Sequence, residues 1–101
     1  MLDAAEEAVS LTQKKTRSDL DRERLLNLAL VRLTEIVGEA AARVKQEDRD
    51  RFPEIPWPQM VALRNRLIHG YDEVNFDILW QILSQDFPLL IVNLRSALRG
   101  Q

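Results

Sequence analysis

The stretch LLNLALVRLTEIVGEAAARV, residues 25–44, decides the fold class because its apolar residues recur at helical spacing. Steps of three and four residues between apolar positions predict one long amphipathic helix with a wide apolar face, over about residues 19–46. That face is formed by Leu25, Leu28, Leu33, Ile36, Val37, Ala40 and Val44. Gly38 lies inside this helix, where a glycine usually marks the close approach of a neighbouring helix.

The segments before this stretch extend the helical pattern. A weak apolar face, with acids early and lysines late, predicts a first helix over residues 2–15. A polar turn then leads into the long helix, with Thr16, Ser18 and Asp19 as candidate N-caps. The chain has 101 residues, 46% of them apolar, and no alternating β-branched run. We therefore predict a single all-α domain over residues 1–101.

Prolines delimit the elements of the second half. Three of them in QEDRDRFPEIPWP, residues 46–58, predict a stiff connector whose charges are solvated. A third helix is predicted from Pro58 to about His69, closed by Gly70. A fourth helix should begin after an N-cap at Asn75 and should kink or restart near Asp86. The reason is Pro88, whose missing N–H and ring disrupt the preceding turn.

Composition excludes several classes of protein. The chain has no cysteine, which excludes disulfides and thiolate metal sites, and its single histidine argues against a conventional zinc site. A net charge of −2 argues against a protein that coats nucleic acid through a broad basic surface. No apolar window is long enough to span a membrane, and the N-terminus lacks the features of a signal peptide. We therefore expect a cytoplasmic protein without a membrane segment or a cofactor.

The stretch RNRLIHGY, residues 64–71, holds the only histidine and the only tyrosine. Arg64 borders an apolar stripe and needs an anion, which is either Glu35 or Glu39 of the long helix or a bound phosphate. His69 is predicted in the last helical turn, able to titrate near neutrality and to transfer protons. The commoner roles remain open, with His69 as a helix cap and Tyr71 as a packing aromatic.

Spacing on one helix separates the two candidate catalytic side chains. Arg64 and His69 would lie about 140° apart on an ideal helix, so they converge only through a long arginine, an unwound last turn or a second chain. RNA cleavage by transesterification uses one group as base, one as acid and a cation for the charged phosphorane. A twofold dimer would supply two histidines and several arginines in one cleft, without a metal.

These residues resemble a known motif. Arg64, His69 and Tyr71 form R-x-x-x-x-H-x-Y, which is similar to the motif of HepT-like proteins in the HEPN superfamily (higher eukaryotes and prokaryotes nucleotide-binding). The resemblance extends to RLTEIVGEAA at 32–41, PEIPWPQMVALRNRLIHGY at 53–71 and DILWQILSQDFPLL at 77–90, which look like successive helices of that family. It implies a HEPN-type antiparallel bundle of four to five helices.

The resemblance also implies a function. It implies a metal-independent endoribonuclease at a homodimer cleft, acting as a toxin, with Arg64 and His69 as the catalytic pair. Its partner would be an MntA-like nucleotidyltransferase antitoxin that transfers AMP from ATP to Tyr71. Asn65 lies inside the motif and would support the site. Our own inference adds Glu39 as a partner of Arg64 or Arg66.

Two other interpretations remain open from the sequence. The chain could be a binding module that docks a nucleotidyltransferase and cleaves nothing, with Tyr71 as an acceptor of AMP. It could also be a structural helical dimer in which His69 only caps a helix.

Overall fold

A computed structural model describes residues 1–69 and 73–100 of the chain, and of His69 it describes the backbone alone. The helices are α1 (Leu2–Leu11), α2 (Asp19–Arg22), α3 (Arg24–Ala42), α4 (Gln46–Arg51), α5 (Trp57–Val61), α6 (Leu63–Leu67), α7 (Phe76–Gln81) and α8 (Phe87–Arg99). A π-helical turn, Ile82–Asp86, joins the last two helices, and two-residue strands β1 (Ile68–His69) and β2 (Glu73–Val74) pair antiparallel. The predicted all-α fold is confirmed.

Helix α3 packs against α1, α2, α5 and α6, and its buried face agrees with the predicted one only in part, through Val37, the partly buried Leu33 and, just past the end of the helix, the partly buried Val44. Its buried residues are Asn27, Leu30, Thr34, Val37, Gly38 and Ala41. The prediction was wrong for Leu25 and Leu28, which are 84% and 47% exposed. The buried face includes two polar side chains whose hydrogen bonds are satisfied locally. Asn27 Nδ2 donates to the Leu20 carbonyl at 2.9 Å, and Thr34 Oγ1 donates to the Leu30 carbonyl at 2.8 Å.

The predicted close approach at Gly38 is confirmed. A Cβ atom placed there would lie 3.3 Å from the Met60 carbonyl oxygen and 3.6 Å from Leu63 Cβ. Because Met60 belongs to α5 and Leu63 to α6, the glycine sets how closely both helices approach α3.

The first two predicted helices are shorter than expected. Helix α1 ends at Leu11, and Lys14 then adopts a positive φ of 64°, which a continuing helix cannot accommodate. The predicted long helix is divided at Glu23, whose backbone is extended (φ −106°, ψ 92°). Of the candidate N-caps, Ser18 directly precedes α2 but makes no side-chain cap bond.

The predicted connector after α3 begins with a short helix, and no residue of that helix is buried, as expected for solvated charges. Helix α4 occupies its first half, and Arg49 of that helix turns back to the end of α3. Its Nε donates to the Val44 carbonyl at 2.9 Å, and its Nη2 reaches the carbonyls of Ala41 and Ala42 at 3.3 and 3.4 Å. The guanidinium thereby satisfies carbonyls at the end of α3 that lack partners within the helix.

The predicted third helix is two short helices. Ala62, with φ −85° and ψ 3°, separates α5 from α6, and the second of them ends at Leu67. The predicted restart before Pro88 is confirmed, because the Phe87 N–H bonds to the Ile82 carbonyl across the π-helical turn. This wider turn accommodates the proline, which has no N–H to donate. Within the described residues, no helix combines the length and the apolar character needed to cross a membrane.

Candidate functional site

The motif segment crosses from a helix into a strand. After α6 ends, Ile68 takes an extended conformation (φ −96°, ψ 122°), and His69 pairs with Glu73 across the two strands. The Asn75 N–H closes the base of this hairpin by donating to the Leu67 carbonyl at 2.8 Å. The prediction that His69 lies in the last helical turn is therefore wrong. The angle of about 140° between Arg64 and His69, which assumed that both lie on one helix, does not apply. The predicted roles of Gly70 and Tyr71 fall outside the described residues.

The far arm of the hairpin is anchored at the start of α7. Asn75 is the N-cap, as predicted, and its Oδ1 accepts from the N–H groups of Asp77 and Ile78 at 2.9 and 3.1 Å. Arg17 Nε donates to Asp77 Oδ1 at 2.7 Å, and this bond is the largest cause that raises the pKa of Arg17. The same guanidinium lies over the ring of Phe76, 5.9 Å from its centroid. Arg17, in the turn before α2, thus holds the start of α7, which follows β2.

Arg64 offers an accessible cationic group on the near arm. Its side chain is 68% exposed, and its Nε lies 3.5 Å from Oε2 of Glu35, which is only 24% exposed. Of the two internal partners that the sequence suggested, the structure therefore selects Glu35. The terminal nitrogens of such an exposed guanidinium are able to bind a phosphate. Asn65, the next residue, is also exposed.

Arg66 is held differently. Its Nη1 lies 3.0 Å from Oδ2 of Asp86, and both side chains are less than a third exposed. Asp86 is the last residue of the π-helical turn, so this ion pair ties α6 to the junction of α7 and α8. Sequence reasoning missed this pairing because the partners are far apart in the chain and meet only in the folded structure.

Glu39 does not contact either motif arginine through an ion pair in the described structure. Its Oε1 instead lies 3.3 Å from Nη1 of Arg32, and both side chains are largely exposed. Helical spacing places both residues on one stripe of α3, which also carries the exposed Leu25 and Leu28 and the mostly covered Glu35. Among the side chains that the structure describes, no three acids or histidines are grouped closely enough to hold a metal ion.

The arrangement can bind and polarise an anion beside a histidine-bearing strand. An all-α chain with an exposed arginine on one helix and a histidine on the following strand fits the helical ribonuclease class that the motif suggests. A family model described as "Ribonuclease HepT-like" matches residues 1–97. The chain therefore belongs to the HepT-like ribonuclease family. This membership confirms the resemblance and the predicted enzyme class.

Three known relatives are about a third identical to this chain over most of their length. A Methanocaldococcus jannaschii protein named as a "putative RNase" is 33% identical over 88 residues, 87% of this chain and 81% of that protein. A Thermococcus cleftensis protein named "Probable ribonuclease HepT" is 34% identical over 83% of this chain and 80% of its own. A "putative RNase" of Caldanaerobacter subterraneus is 32% identical over 82% and 74%. No solved structure matches the chain.

Proposed function

We propose that the chain, as one domain over residues 1–101, is a metal-independent RNA endonuclease that acts as the toxin of a toxin–antitoxin pair. The observation that carries this proposal is the exposed guanidinium of Arg64 on α6, directly before the strand that carries His69, in a chain of a ribonuclease family. Arg64 and His69 are the proposed catalytic residues, and Asn65 and Arg66 support them.

The proposed reaction is a transesterification within the RNA chain. An imidazole takes the proton of a ribose 2′-hydroxyl, and the 2′-oxygen attacks the adjacent phosphorus. Arg64 stabilises the negative charge of the phosphorane. A second imidazolium then gives its proton to the departing 5′-oxygen, which leaves a 2′,3′-cyclic phosphate on the other fragment. The step consumes no water and needs no redox partner.

A homodimer would supply the second imidazole, because each chain has one histidine. The exposed leucines of α3 support this proposal, since Leu25 and Leu28 project from the helix that also carries Glu35, the partner of Arg64. A second copy that covers the leucines would bring another motif segment close to Arg64. We expect Leu25→Asp to dissociate the dimer in sedimentation equilibrium and to abolish cleavage. Leu89→Asp on α8 is the matched control, and dissociation by that variant alone would contradict this interface.

Cleavage is tested with purified protein and RNA in EDTA. We expect the wild type to cut RNA and a 2′-deoxy substitution at the cut site to prevent it. Arg64→Ala should lower kcat/KM by about 10²–10³-fold, as removal of one charge-stabilising donor does, and His69→Ala at least as much. Arg51→Ala, at the end of α4, is the control for loss of an exposed arginine. Full activity of the Arg64 and His69 variants would refute the catalytic assignment.

The proposed regulation acts on Tyr71, which follows His69 by two residues. A nucleotidyltransferase of the MntA-like type would join the tyrosine oxygen to the α-phosphorus of ATP and release pyrophosphate. The added phosphate is negative, so it would compete with RNA phosphate for Arg64 and His69. Mass spectrometry after incubation with such an enzyme and ATP should detect added AMP units on wild type and none on Tyr71→Phe. Modified protein should no longer cleave RNA, and unchanged cleavage would contradict this regulation.

A further inference from the structure

We propose that Glu35 is a positioning residue for Arg64, setting the orientation of its guanidinium for the transition state while weakening its attraction for the RNA ground state. The inference rests on the proposed ribonuclease activity and deepens it. Glu35 lies within the long helix α3, whereas Arg64 lies on the five-residue helix α6.

The packing of the two helices brings the carboxylate to the arginine. Gly38, one turn further along α3, lets α5 and α6 approach closely, with only 3.6 Å between its notional Cβ and Leu63 Cβ. Leu63 directly precedes Arg64, so the same contact that seats α6 also places Arg64 over Glu35. The acid is mostly covered by protein, while the arginine is mostly open to solvent. Glu35, which is held by the surrounding protein, therefore constrains the side chain of Arg64.

The contact is made at the inner edge of the guanidinium. Glu35 approaches Nε at 3.5 Å, and the two terminal nitrogens, with their four N–H groups, are directed away from the stem of the side chain. A long arginine side chain without such a contact would occupy many rotamers. Holding Nε therefore presents the fork that binds phosphate oxygens in pairs, and orientation of this kind contributes directly to rate.

The same carboxylate opposes binding of the substrate. RNA carries one negative charge at each phosphate, and an acid beside Arg64 offsets part of the cation's attraction. The phosphorane carries more negative charge than the starting diester, so an oriented guanidinium acts more strongly on the transition state than on bound RNA. Glu35 should therefore raise both kcat and KM. A residue that only packs two helices together would produce neither effect.

The experiment compares Glu35→Gln with Glu39→Gln on an RNA oligonucleotide that the wild type cuts. We expect Glu35→Gln to lower kcat by about tenfold and KM by about threefold, the pattern of a contact that favours the transition state over the ground state. Glu39→Gln is the matched control, because Glu39 lies on the same stripe of α3 but pairs with Arg32. Its constants should stay within about twofold of wild type.

A second background tests whether Glu35 acts through Arg64. Lysine has a carbon where arginine has the Nε–H group that contacts Glu35. In the Arg64→Lys protein, the further change Glu35→Gln should therefore alter kcat and KM by less than about twofold. Thermal unfolding of each variant checks that it folds. Unchanged constants, a raised KM, or an equal effect in the Arg64→Lys background would overturn the role of Glu35 and leave the ribonuclease proposal standing. A wild type that cuts no RNA would overturn both.

Discussion

Helix α6 carries two arginines that face different neighbours and are held in different ways. On the side toward α3, Arg64 is largely exposed, and its Nε lies 3.5 Å from Oε2 of Glu35. On the side toward the π-helical turn, Arg66 is mostly covered and binds Asp86 at 3.0 Å. The basic segment of α6 is therefore not uniform. The covered arginine fastens the helix, and the exposed one is available to a ligand.

The largest expected effect on stability comes from the buried leucines of α6, which hold the helix that carries both arginines. Leu67 is 1% exposed and lies at the end of α6, directly before β1. Leu67→Ala should lower the free energy of unfolding by about 2–5 kcal/mol, because it removes buried methyl groups and leaves a cavity. Urea unfolding measures the change, with the exposed Val61→Ala as the control. A loss as small as that of the control would contradict the packing described for α6.

A smaller effect is expected when only the α3 side is disturbed. Gly38→Val would place methyl groups against the Met60 carbonyl, where even a Cβ would lie at 3.3 Å. We expect the free energy of unfolding to fall by about 1–3 kcal/mol, the usual cost of overpacking. Ala42→Val, at the exposed end of α3, controls for the helix propensity of valine. Equal stability of the two variants would show that the close approach is not required.

The smallest expected effect on stability is the difference between the coupling energies of the two ion pairs. A double-mutant cycle on Arg66→Ala and Asp86→Ala should give a coupling of about 0.5–1 kcal/mol in unfolding free energy, because neither partner is fully solvated. The corresponding cycle on Arg64 and Glu35 should give a smaller coupling, because the Arg64 side chain is more exposed and its contact with the carboxylate is longer. A stronger coupling for Arg64 than for Arg66 would reverse the comparison.

Local chemical signals predicted several features correctly. Asn75 before an apolar run predicted a helix start, and Pro88 predicted the disturbance that the π-helical turn accommodates. Gly38 predicted a close helix contact. The signals of Asn75 and Pro88 act within about one helical turn, and an unexpected glycine inside a helix indicates a close neighbour without identifying it, so all three can be recognised from the sequence.

Features that depend on partners distant in the chain could not be read in this way. The buried face of α3 includes Asn27 and Thr34, because packing against other helices, and not the polarity of each side chain, decides which side of α3 is covered. Leucines at positions 25 and 28 looked like core residues for the same reason. The division of the third helix, and the pairing of Arg66 with Asp86, likewise depend on tertiary packing that outweighs local preference.

The bond that closes the base of the hairpin has a consequence for kinetics. The Asn75 amide can exchange its hydrogen with solvent only when its contact with the Leu67 carbonyl opens. Its exchange rate therefore reports how often the arms that flank the motif separate. Deuterium uptake at this single amide therefore measures opening of the site without RNA, a partner enzyme or a mutation.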